Sequence, residues 1–77
     1  MTLPLDKMVM GQSGRIHRLP EGTVRSQAIR FGLCEGAEIV CYQRIVRGPV
    51  VIRRGQQHLA IGNALAGEIL VEIQEAS

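Results

Sequence analysis

Glycine and proline break the hydrophobic pattern of this chain into short runs. Gly11, Gly14, Pro20, Gly22, Gly32, Gly36, Gly48, Pro49, Gly55, Gly62 and Gly67 leave room only for short elements between them. Such punctuation predicts short strands joined by turns. From Glu38 the apolar positions recur with period two, so that Ile39 and Cys41 share one face while Val40 and Tyr42 take the other. The same alternation runs through "VVIRR", with Val50 and Ile52 together, through "QQHLAIG", with Leu59 and Ile61 inward, and through "EILVEIQ", with Ile69, Val71 and Ile73 aligned. "GRIHRL" reads as the opening strand, stopped by Pro20 and Gly22, and the preceding "GQSG" reads as a turn. One segment carries helical spacing instead: in "TVRSQAIRFGL", Val24, Ala28 and Phe31 fall on one stripe. Thr23 is placed to cap that helix, and Gly32 to take a left-handed conformation after its last turn, folding Leu33 back. Asn63 is expected to cap a single helical turn, "NALAG". The pattern therefore predicts a mainly β protein of five short antiparallel strands and one short helix. A sheet of this size covers its apolar face and its edges by curling into a small barrel.

Length confines this pattern to a single domain over residues 1–77 with a thin core. No apolar run approaches the roughly 20 residues that span a bilayer, and "MTLPLDKMVM" lacks the basic and apolar regions of a leader. A cytoplasmic location follows as the expectation. Nine Lys and Arg against seven Asp and Glu leave a net charge of +2, far from the excess of a dedicated nucleic-acid binder. Phe31 and Tyr42 are the only aromatics, which leaves little material for stacking bases.

The candidate chemistry is sparse. Cys34 and Cys41 are seven positions apart and miss the close pairing of structural zinc sites. Parity places Cys41 beside Ile39 as a core filler and Cys34 in a turn, and neither is expected in a disulfide in a reducing compartment. His17 and His58 fall outward by parity and are the weak candidates for a partly open iron or zinc site, with a carboxylate such as Glu72. A phosphate-cradling loop is absent, since the sole lysine, Lys7, follows no glycine pattern. No serine has a recognisable base partner, so the chain reads as a binding module, not an enzyme. Its most basic feature is Arg44, Arg47, Arg53 and Arg54 around one hairpin, suited to phosphate or to an acidic protein surface.

Three stretches in order, "PLDKMVMGQSGRIHRL", "QAIRFGLCEGAEIVC" and "RGPVVIRRGQQHLAIGNALAGEILVE", resemble the FeoA family of bacterial ferrous iron uptake over almost the whole chain. The matching positions include Leu5, Gly11, Gly14, Ile16, Phe31, Gly32, Leu33, Gly36, Ile39, Gly48, Pro49, Ile52, Leu59 and Val71. Glu35 stands where the family has a proline, and Cys41 where it has a valine. The resemblance implies an SH3-like five-stranded barrel that works by contact with FeoB, a membrane transporter with a cytoplasmic GTPase domain. It also implies recruitment to the inner face of the cytoplasmic membrane without insertion, and it leaves self-association open. Arg30, Phe31, Gly32 and Leu33 are the expected contact, with the hairpin arginines as electrostatic support. A small-barrel nucleic-acid binder and a weak transition-metal binder are the competing readings.

Overall fold

Six strands, two short helices and a 3-10 turn make up the protein in the computed structural model, which describes residues 1–74, with Thr23 and Val24 described through their backbone alone. In chain order they are β1 (Thr2–Pro4), a 3-10 turn (Leu5–Lys7), β2 (Ser13–Arg18), α1 (Thr23–Arg30), β3 (Glu38–Arg44), β4 (Val50–Arg54), β5 (Gln57–Ile61), α2 (Asn63–Ala66) and β6 (Leu70–Ile73). All strands join one antiparallel sheet in the order β1, β6, β2, β3, β4, β5. The mainly β architecture matches the expectation, with one strand more than the five read from the pattern.

The additional strand is β1, which pairs Leu3 with Val71 and ends at Pro4 opposite Leu70. Proline lacks the N–H that a central strand must donate, and at the sheet margin that loss costs no ladder bond. Leu5 then donates its N–H to the Ile69 carbonyl at 2.8 Å and buries its side chain completely. The other parity assignments hold. Ile39 and Cys41, Val50 and Ile52, Ile61, Val71 and Ile73 are all buried and form one cluster with Ile16, Leu19, Ala28, Leu33 and Ile69.

Two irregularities help the sheet curl around that cluster. Register shifts between Ile16 and Arg18 where β2 meets β6, and between Cys41 and Gln43 where β3 meets β4. An extra residue in one strand bends it and increases its twist. Gly14 acts at the same joint: a Cβ there would lie 2.5 Å from Val71 Cγ1 and 3.0 Å from the Glu72 carbonyl oxygen. It is therefore a strand residue chosen for close approach of β2 to β6, and the turn expected across "GQSG" ends at Gln12.

Both capping expectations need correction. Gly22, with φ 91°, holds the N-cap position of α1, so Thr23 is the first helical residue; its side chain, like that of Val24, lies outside the described residues. Asn63 likewise begins α2 behind Gly62 and makes no capping bond.

Candidate functional site

The exit of α1 follows the sequence reading closely. Gly32 has φ 82°, and its N–H donates to the Ile29 carbonyl at 2.9 Å, while the Leu33 N–H donates to the Ala28 carbonyl at 2.9 Å. This is the Schellman pattern, in which a left-handed residue lets two amides close the last helical carbonyls. Leu33 and Ala28, the two positions that usually pack together in this motif, are both buried in the core.

Phe31 departs from the expectation. It is the C-cap, with φ −90° and ψ 8°, and its side chain is 57% exposed. The i, i+4, i+7 stripe assumed three helical positions, but the helix stops at Arg30, and the turn that follows points the ring outward. Ile29 is also about half exposed, so the end of α1 presents two large apolar side chains beside exposed Arg30.

Phe31 borders a groove of about 250 Å³, lined by Gln27, Ala28, Phe31 and Leu33 from the helix side and by His58 to Gly62 and Leu65 from the other. Its far wall is β5, an edge of the sheet whose only partner strand among the described residues is β4. An edge strand offers unpaired backbone groups as well as side chains to a partner. Arg54 reaches the same region, since its Nη1 lies 3.3 Å from where a Cβ on Gly32 would stand. Arg25 Nη2 donates to Glu35 Oε1 at 2.8 Å and ties the helix to its exit turn. That hydrogen bond holds the Glu35 carboxyl below its ordinary pKa.

The remaining sequence candidates scatter. Arg44 and Arg47 stand near the start of β4, with Arg44 level with Val50, whereas Arg53 and Arg54 stand at its end, level with His58 and Gln57. A five-residue strand separates the pairs by roughly 13 Å at about 3.3 Å per residue, so the four do not form one ridge. Only Arg54 adjoins the groove. His17 is the extra residue of the β2 bulge and His58 lies on β5, with β3 and β4 between their strands. His58 packs edge-on against Tyr42, with ring centroids 4.5 Å apart. Glu72 accepts from Thr2 Oγ1 at 2.6 Å and from the N-terminal ammonium at 3.2 Å. Among the described residues no three His, Cys, Asp or Glu side chains gather to hold a metal ion. Cys41 is fully buried, and burial pushes its thiol pKa up, while Cys34 is exposed; both are free thiols.

The sequence pattern could not reveal the groove, because one wall comes from α1 and the other from β5 and α2, more than 25 residues further along the chain. The usable signal was the glycine-leucine pair after the helix, which fixes where Phe31 stands.

Fold and site together define a small mainly β module that carries an apolar groove beside a sheet edge. The family model of the FeoA domain matches residues 3–73, and the chain belongs to the FeoA family. The crystal structure of an iron uptake regulatory protein, FeoA, is 31% identical, with a TM-score of 0.88 over 96% of this chain and 99% of that one. Iron(II) transport protein A from Clostridium thermocellum is 27% identical and aligns over 92% of this chain and 45% of its own, with a TM-score of 0.83. A manganese-dependent transcriptional repressor shares the fold over 95% of this chain and 42% of its own, with a TM-score of 0.87 at 14% identity. No curated protein matches the chain.

Proposed function

We propose that this protein is an accessory factor of ferrous iron uptake, acting in the cytoplasm by docking on the cytoplasmic GTPase domain of a FeoB-like membrane transporter. Family membership supports the pathway, as do the names of two similar structures, one an iron uptake regulatory protein and the other an iron(II) transport protein. The observation that carries the docking reading is the half-exposed Phe31, locked at the rim of an apolar groove by the Schellman turn.

The chemistry is that of binding. Covering an exposed aromatic ring yields about 1.5–3 kcal/mol, and an anchor fixed in the free protein loses little conformational entropy when it binds. Arg30 and Arg54 flank the anchor, and neither is in a salt bridge among the described residues. They supply orientation and on-rate toward an acidic partner surface. The nucleic-acid reading loses support from the splitting of the hairpin arginines. The metal reading loses support from the separation of His17 and His58.

Capture of the purified transporter GTPase domain by wild type, Phe31→Ala and Arg30→Ala tests this reading. Phe31→Ala is expected to weaken capture by at least tenfold, since hot-spot truncations cost about 2 kcal/mol or more. Arg30→Ala is expected to slow association and to reduce its salt dependence. Equal capture of all three would place the contact elsewhere, and no capture of wild type would refute docking.

A further inference from the structure

A second concavity, sharing no lining residue with the groove, lies where the 3-10 turn meets the tip of the β3 to β4 hairpin. It is a pocket of about 210 Å³ lined by Asp6 and Lys7 from the turn, by Arg44, Arg47 and Val50 from the hairpin, and by Asn63 from the start of α2. Three cations and one carboxylate therefore share one small space. None of these four side chains forms a salt bridge among the described residues.

The hairpin is built before any ligand arrives. The Gly48 N–H donates to the Ile45 carbonyl at 2.8 Å and the Ile45 N–H to the Pro49 carbonyl at 3.2 Å, which closes the tip. Arg44 Nη1 donates to the Met8 carbonyl at 3.4 Å, so one guanidinium nitrogen ties the hairpin to the loop after the 3-10 turn. Arg47 takes φ 60°, the one non-glycine residue with positive φ among the described residues. That conformation favours glycine or asparagine, so an arginine there carries a backbone cost in return for a guanidinium at the pocket.

Asp6 decides which anion suits this pocket. Its Oδ1 is shielded from solvent and has no hydrogen-bond partner among the described residues, while its Oδ2 lies 3.5 Å from where a Cβ on Gly67 would stand. A shielded carboxylate oxygen without a donor is costly, and an ionised carboxylate can only accept. The terminal torsion of an aspartate is broad, so a small turn of the carboxylate brings an oxygen to a donor held in the pocket. The excess of positive charge selects an anion, and the carboxylate then selects among anions. One that keeps a proton donates it to Asp6; one without a proton sets its charge against Asp6. Phosphate keeps a proton near neutral pH and sulfate does not. We infer that this pocket binds a phosphate group that retains a proton, on the free ion or on a monoester. Its P–OH donates to Asp6, and its other oxygens accept from Lys7, Arg44 and Arg47. The same chemistry disfavours an acidic protein surface, whose ionised carboxylates have no proton to give.

Amide-shift titration of the full chain by NMR tests the inference, with inorganic phosphate, methyl phosphate and sulfate added at constant ionic strength and at pH about 6, where a monoester is about half protonated. Phosphate is expected to give saturable shifts at Asp6, Lys7 and the hairpin tip. Sulfate should bind about tenfold more weakly or worse, because it trades a charge-assisted hydrogen bond for a like-charge contact. Tighter binding of inorganic phosphate than of methyl phosphate would mark the free ion as the ligand, and the reverse a monoester. Asp6→Asn removes the charge and supplies a donor, so it should bind sulfate more tightly than wild type does and lose the preference for phosphate. A gain of binding cannot come from misfolding. Arg47→Gly suits the left-handed backbone, so it should stay folded while phosphate affinity falls about tenfold. Equal binding of phosphate and sulfate by wild type, or a preference for phosphate that survives Asp6→Asn, would overturn the inference. So would unchanged phosphate affinity in Arg47→Gly, or the absence of saturable shifts with either phosphate compound.

Discussion

Gly32 shows how one backbone angle positions a functional side chain. Its φ of 82° allows the Schellman bonds that bury Leu33 and turn Phe31 outward. Gly32→Ala meets only the end of the Arg54 side chain, which can move, so its cost comes from the left-handed backbone. The expected loss is about 1–2 kcal/mol, read from urea unfolding. Glu35 gives a different test. Its hydrogen bond from Arg25 depresses its pKa in the folded state, so the stabilisation is present above the unfolded value and disappears as pH falls through the folded one. Glu35→Gln should therefore lower Tm slightly at neutral pH, and the gap from wild type should close as pH falls below about 4. Residue parity along the strands was readable because period two leaves little freedom: Ile39, Cys41, Val50, Ile52 and Val71 all point where alternation puts them. The Arg25 to Glu35 pair was not readable, because it depends on the angle between a helix and the turn that follows it.

At the scale of elements, the turns shape the molecule as much as the strands do. β1 escaped the pattern since three residues ending in proline are too short to show a period. The end of α1 was predicted at its glycine, but the apolar stripe was extended one position beyond the helix to Phe31, whose exposure agrees instead with its place in the expected contact. Gly14 was read both as the end of a turn and as the start of the opening strand, and the approach of β6 explains why a glycine stands there. A methyl group there collides with Val71 Cγ1 and backbone, so Gly14→Ala should cost about 1–3 kcal/mol, the range for overpacking. Calorimetry reads that cost as a lower Tm, and amide exchange should be faster in both β2 and β6.

The whole molecule is a single thin core inside a sheet with two different margins. β1, shortened and ended by Pro4, offers little edge, whereas β5 offers five residues beside an apolar groove. Ile52 lies at the centre of the core, between Cys41 and Leu59 on the neighbouring strands, with no exposed surface. Ile52→Ala should cost about 2–5 kcal/mol, a large share of the total stability of a domain this small, and denaturant unfolding should remain a single transition. In the proposed docking, a partner that covers Phe31 would also lie against β5, which lines the same groove. Amide hydrogen exchange of the chain, alone and with the transporter GTPase domain, tests this most directly. Slowed exchange is expected along Gln57–Ile61 and at the exit of α1, and none of it with Phe31→Ala. Protection confined to β1 and β6, or unchanged protection with Phe31→Ala, would contradict it.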